Sequence, residues 1–423
     1  MGLKGRLNLM MFLEYAAKGI WLPLAAIFLG DEGLGFSQSE KGWIIAISSA
    51  VGAMCSPFIC RLCDQKFATE KCLAILLFLV GILKIVIAEQ SSFIAWLLLA
   101  MAFSILYVPT MALTNSLAMT HLQDPKNEFS RVRVWGTIGW IAVAWVFPMV
   151  WLKTNLSFQW LPPFFTGDNL LDHAARTIHS MTAAGLICIV YAVYCWFALP
   201  ATPPKGAGKG FNMGEALSMF RHRSFTVLMV TALLISSIHF LYFMQMGSFL
   251  KKAGLENHEV LPAMSLGQMS EIVVLAFLGP LIARCGFRWI MVIGAASFAL
   301  RYFIFSLGLP VSAYVSAQLL HGLCFGCFFA VAFIYVDRVA SPTVKHSAQA
   351  LFVFVMFGLG PLIAGQINNS LAAGAGQLDL AGYAFYWKWA ALIPLGAAII
   401  HAAFFRDETK DSKPQPAELK NDE

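Results

Sequence analysis

The sequence predicts an all-α polytopic membrane protein with twelve transmembrane helices. Hydrophobic residues make up 59% of the 423-residue chain, charged residues only 12%, and the mean hydropathy is +0.70. A soluble domain carries about twice that charged fraction. The apolar residues also come in blocks of about 20, each long enough to cross a hydrocarbon core of about 30 Å. The blocks are continuous, whereas the strands of a membrane barrel alternate and are weakly hydrophobic.

The spans are read at 7–29, 41–62, 71–89, 92–119, 133–152, 177–199, 224–250, 262–284, 287–308, 311–337, 345–371 and 383–405. The first, LNLMMFLEYAAKGIWLPLAAIFL, is too long for a signal-peptide core and ends in no small-residue cleavage site. Basic residues then orient the chain. With the N-terminus in the cytoplasm, the inner segments hold Lys4, Arg6, Arg61, Lys66, Arg131, Arg221, Arg284, Arg338, Arg406 and others. The outer ones hold Lys41, Lys153, Arg176, Lys251, Lys252 and Lys388. This bias places both termini inside, in a plasma (inner) membrane. The net charge of +6 is therefore a topology signal, with no nucleic-acid partner implied. The cysteines, including the CxxC-spaced Cys60/Cys63 and Cys324/Cys327, lie in spans or at their cytoplasmic ends, where thiols stay reduced. They read as helix-packing residues, and neither a metal nor a cofactor is expected.

The longest cytoplasmic break, residues 199–225, is rich in Pro, Gly and basic residues and divides the spans six and six. The expected units are a six-helix bundle over 1–199, a linker over 200–223, a second bundle over 224–406 and a disordered tail over 407–423. Met213 to Phe220 is expected to form a short amphipathic helix. The outer loop 153–176 is long enough to hold structure of its own. After the second span the chain reads SPFICRLCDQKFATEK; after the eighth it reads GPLIARCGFRW. A weak repeat at corresponding positions of two six-helix halves is the mark of the major facilitator fold.

Charge inside an apolar span costs several kcal/mol unless it meets a partner or a wet cavity, so such residues are the candidate site. Glu271 stands in LGQMSEIVVLAFLGPLI, sharing a helix face with Gln268 and Ser265. Arg301, on the next span, stays charged when buried and needs a counter-ion, for which Glu271 is the candidate. Glu14 and Lys18 are spaced for an in-helix ion pair; the alternative is a second protonatable carboxylate facing Glu271. Lys84 is expected to snorkel to the outer interface. His239 and His321 are either proton relays or packing histidines. Arg133 either anchors its span at the interface or reaches into the cavity with Thr137 one turn deeper.

YVPTMALTNSLAMTHL followed by RVRVWGTIGWI resembles the nucleoside:proton symporter family of the major facilitator superfamily. The resemblance continues through GQMSE, ALRYFIFSLG and DRVASPTVKHSAQALF. It implies that Arg133, Thr137, Gln268 and Glu271 contact a nucleoside. His239 or Gln245 would stand in for the seventh-span Gln and Asn of the family. The tenth-span acidic residue of the family has no counterpart near Gly326, and Glu14 and Lys18 stand where a polar and an aromatic residue are usual. The resulting expectation is a monomeric, proton-coupled importer of nucleosides in the lipid bilayer, with Glu271, Arg301, Glu14, Lys18 and His321 as candidate coupling residues. The alternative cargo is a sugar or small organic acid. No triad, metal cluster or phosphate-cradling loop points to an enzyme.

Overall fold

The computed structural model describes residues 2–30, 33–158, 165–173, 175–203, 213–340 and 345–407. The tail beyond Asp407, residues 204–212 of the linker and the Asp64 side chain of the repeated loop lie outside the described residues. Twelve helices are long and apolar enough to cross a membrane: α1 Leu3–Phe28, α2 Gln38–Cys63, α3 Thr69–Ala88, α4 Phe93–His121, α5 Arg131–Trp151, α6 Ala175–Ala198, α7 Arg223–Lys252, α8 Asn257–Ala276, α9 Leu278–Phe305, α10 Val311–Val339, α11 Ala348–Ala375 and α12 Leu380–Phe404. They pack as two six-helix bundles, with α1–α6 in one and α7–α12 in the other. An even number of crossings puts both chain ends on one side, here called proximal; the opposite side is distal.

Local sequence explains the irregularities. α1 gives way to a single 3-10 turn at Leu22–Leu24, where Pro23 lacks the N–H that would continue the α pattern. α9 is broken at Gly286, which has φ 74° and ψ 164°, close to the predicted break between the eighth and ninth spans. Single π turns interrupt α10 at Phe325–Ala330 and α11 at Val355–Leu359; such bulges are frequent at functional sites. The long distal loop does hold structure: β1 Lys153–Phe158 pairs antiparallel with β2 Phe165–Asn169. Met213–Ser218 is helical, as its pattern predicts.

The bundles themselves are held by close backbone approach. A Cβ built on Gly139 would overlap the Phe12 carbonyl oxygen and stand 2.9 Å from its carbon, so only glycine lets α5 seat directly on α1. On the other side, Gly322 of α10 meets Ser270 of α8 at 2.5–2.6 Å from the same construction, and its N–H donates to Ser270 Oγ at 3.0 Å. Without a strong hydrophobic drive between helices in lipid, small residues and such bonds supply the packing.

One expectation about cysteines is corrected. Cys63 and Cys72, at the proximal ends of α2 and α3, are joined in a disulfide. Their separation of 5.9 Å between Cα atoms follows from the short turn that joins the two helices.

Contacts between the bundles gather at the distal end. Ser248 Oγ donates to Ala26 O at 3.1 Å, joining α7 to α1, and Trp145 Nε1 donates to Ser265 Oγ at 2.9 Å, joining α5 to α8. Ile45, Ala46, Met244 and Ala364 form a small apolar cluster across α2, α7 and α11. The Ser248 and Trp145 hydrogen bonds between the bundles both lie on this side.

Candidate functional site

The site is built where α5 of one bundle faces α8 of the other. The glycine contact at Gly139, with Gly136 against the Tyr15 ring, brings the RVWGTIGW segment onto α1. Arg133 is thereby laid over Tyr15, its guanidinium carbon 3.9 Å from the ring centroid. This is a cation–π contact that orients the side chain without neutralising it. Arg133 therefore turns inward from the interface, and Thr137 is buried one turn on at 7% exposure. From the facing bundle, Glu271 is 7% exposed and accepts no hydrogen bond among the described residues. The charged side chain acting on it is Arg133. Gln268 Oε1 is buried without a donor. Two acceptors on α8, one of them a carboxylate, thus stand unsatisfied opposite a cation, which is the chemistry of a ligand site awaiting hydroxyl or amide donors.

The pairing expected between Glu271 and Arg301 does not form. Arg301 is fully buried inside the second bundle, its Nη1 donating to His321 Nδ1 at 2.9 Å and its guanidinium 4.2 Å above the Tyr242 ring. Arginine can only donate, so His321 Nδ1 is the acceptor and the ring hydrogen sits on Nε2. His321 in turn stacks between Tyr242 and His239, at interplanar angles of 17° and 14°. His239 is ringed by Phe240, Phe243, Phe298, Phe325 and Phe329, and its Nδ1 has no partner. The reason is geometric: Gly267 lets α10 come so close to α8 that a Cβ there would lie 2.8 Å from His321 Cβ, and Arg301 follows His321 away from the interface.

Nor do Glu14 and Lys18 pair within α1. Glu14, 1% exposed, accepts from Thr110 Oγ1 at 2.8 Å and Thr114 Oγ1 at 3.2 Å, both on α4. Tyr107 donates to the Glu14 backbone oxygen at 2.8 Å, and Thr114 is bonded to Tyr191 at 2.9 Å. Lys18 instead points across to the other bundle, its Nζ 5.9 Å from the Phe357 ring on α11. Lys84 does not snorkel. It is fully buried, its Nζ has no hydrogen-bond partner, and the Trp21, Phe103 and Tyr107 rings lie 4.6, 5.1 and 5.1 Å away. The spacing of Tyr107, Thr110 and Thr114 on one face of the fourth span was the signal for Glu14's partners.

Gln245 lies outside this set. Its Nε2 donates to Gln38 Oε1 and to Asn368 Oδ1, each at 2.7 Å, and its Oε1 accepts from Tyr383 at 3.0 Å. Tyr386 donates to Asn368 Oδ1 at 2.9 Å, and Asn368 Nδ2 to the Gln38 backbone at 3.2 Å. The network ties α2 to α7, α11 and α12 at the distal end and uses both amide hydrogens of Gln245. Its sequence signal was the amide pair Asn368–Asn369 inside the eleventh span. Replacing Asn368 with Ala removes an acceptor shared by two donors; the distal end should open more often. A reporter cysteine placed on this interface should then be labelled several-fold faster by a membrane-impermeant thiol reagent, and unchanged labelling would count against a closing role.

Two bundles of six helices around a charged interface define a transporter of the major facilitator fold. The solved structures agree: the chain superposes on the nucleoside transporter NupG with a TM-score of 0.79 at 20% identity, covering 96% of this chain and 100% of that one. A D-xylose–proton symporter superposes at 0.71 and 12%, covering 97% and 100%. The profile of the family described as nucleoside H+ symporter matches residues 1–410, and the chain belongs to that family. It is 30% identical over 422 residues to the transporter YegT of Escherichia coli (strain K12), covering 96% of this chain and 94% of that protein. It is 22% identical over 428 residues to the nucleoside permease NupG of the same organism, covering 96% and 95%.

Proposed function

We propose that the chain imports nucleosides together with protons by alternating access, from a plasma (inner) membrane with both termini in the cytoplasm. The bundles would span 1–199 and 224–406 around the linker 200–223, and a single chain would suffice. The observation that carries the reading is the opposition of Arg133 and Glu271 across the bundle interface, with Gln268 Oε1 unsatisfied beside it.

A ribose offers hydroxyl donors to Glu271 and Gln268, and base carbonyls accept from Arg133; Thr137 extends the same face. The rings of Trp140 and Phe243, 6.4 Å apart across the interface, close the site towards the distal side. With the N-terminus inside, the closed distal end is the outer one, so this conformation faces the cytoplasm. In transport, Glu271 takes a proton from outside, cargo binds, and the distal contacts form as the bundles rock. Arg301 and His321 act from behind: a proton on His321 Nδ1 would break its bond to Arg301 and set two cations side by side, so that pair can move only with α10. Glu14, held by two threonines, fixes α1 to α4.

The test is uptake of a labelled nucleoside panel into proteoliposomes with an imposed inward pH gradient. Saturable accumulation that an uncoupler abolishes is expected. Transport of a sugar or organic acid, with no nucleoside carried, would overturn the cargo assignment.

A further inference from the structure

Among the charges that the sequence singles out inside the spans are four basic side chains, Lys18, Lys84, Arg133 and Arg301, and two carboxylates, Glu14 and Glu271. Not all of them can meet cargo. Lys84 is sealed behind Trp21, Phe103 and Tyr107, and Arg301 behind Tyr242 and His321; both are fully buried. Glu14 is 1% exposed with both oxygens taken by threonines. What remains facing the interface is Lys18 and Arg133 against Glu271 alone. Lys18 has no hydrogen bond or ion pair among the described residues. It is only half-buried, and it lies over Phe357, within the π turn of α11 on the opposite bundle.

We propose that Lys18 reads a negative charge on the cargo, so that this chain favours anionic nucleosides, whose base carries a carboxylate or is itself ionised, over neutral ones. The inference rests on the nucleoside reading above and names its substrate class. The groups that face Lys18 are Glu14, Arg133 and Lys84 from its own bundle, Lys84 being a like charge sealed behind aromatic rings, and His239 from the other. Glu14 is already engaged and His239 is stacked among aromatic rings, so neither supplies an accessible counter-charge. Arg133 cannot shed its proton and is a like charge. An anion placed between Lys18 and Arg133 removes that repulsion where few water molecules screen it.

The arrangement also supplies coupling. When Glu271 takes a proton, Arg133 loses the carboxylate that acts on it, the positive charge beside Lys18 is left less compensated, and an anionic cargo then binds more tightly. By linkage the anion raises the affinity for the proton by the same factor. One proton and one singly charged nucleoside would cross together without net charge.

Uridine and orotidine separate the possibilities, because they share a pyrimidine and a ribose and differ by one carboxylate. Equilibrium binding to the purified full-length protein in nanodiscs, at a single pH, should favour orotidine by roughly tenfold or more, the usual scale for an added desolvated charge pair. Lys18→Met should bring the orotidine-to-uridine ratio close to one, and Lys18→Arg should keep most of it. Lys18→Gln serves as the second neutral variant, with thermal melting of each variant reporting its fold. Equal binding of the two nucleosides by the wild type, or a ratio that neither neutral variant moves, would overturn the inference while leaving the nucleoside reading standing. Binding of a sugar or organic acid with no nucleoside bound would overturn both.

Discussion

Glu271→Gln should abolish gradient-driven accumulation while leaving the protein folded. Glutamine keeps the shape and hydrogen-bonding capacity of the side chain and removes its ability to take up a proton. A gradient of one pH unit is worth about 1.4 kcal/mol per proton. One coupled proton therefore concentrates cargo about tenfold at equilibrium, and without it the ratio should fall to about one. Exchange of labelled for unlabelled nucleoside should persist, since it needs only binding and the rocking of the bundles. Initial uptake and steady-state accumulation in proteoliposomes, with and without the gradient, read the two apart. Accumulation by Glu271→Gln equal to that of the wild type would place the proton elsewhere.

Gly139→Val should have the largest effect on the fold near the site. The added Cβ would overlap a backbone oxygen and stand 2.9 Å from its carbon, neither of which can rotate out of the way. Forcing extra atoms into such a contact costs about 1–3 kcal/mol. The strain is relieved by moving α5 off α1, which carries Arg133 away from Tyr15 and Thr137 out of the interface. A fall of several degrees in melting temperature together with a loss of nucleoside affinity of roughly tenfold is expected. Gly396→Val is the control, because a Cβ at Gly396 meets nothing within 4 Å. If Gly139→Val melts and binds like Gly396→Val, the α1–α5 contact does not position the site.

The membrane class and the number of spans were legible because they rest on properties that add along the chain. Apolar blocks of the right length, and charges confined to a few places inside them, survive any detail of packing. Candidate residues were legible for a related reason. A charge in a span is conspicuous wherever its helix turns, and the RVWGTIGW and GQMSE segments are specific enough to carry a family resemblance. Arg133 and Glu271 act on each other across the bundle interface, with Thr137 one turn on from the first and Gln268 one turn before the second.

Partner choice was not legible. Helical spacing puts Glu14 and Lys18 within reach of each other, yet Thr110 and Thr114 on α4 take the carboxylate and leave Lys18 to the opposite bundle. Consecutive spans make Glu271 the candidate counter-ion of Arg301, yet Gly267 lets α10 come close to α8 and His321 takes the guanidinium. Lys84 lies near enough to a span end to snorkel, yet three aromatic rings from α1 and α4 close over it. By itself the sequence determined which helices exist, that they span a membrane, and which side chains are too costly to be there without a purpose. The tertiary structure alone decided which of those side chains satisfy one another and which remain without a partner. Hydrogen bonds and cation–π contacts form over a few ångströms, and those distances are set by where glycines let one helix backbone approach another.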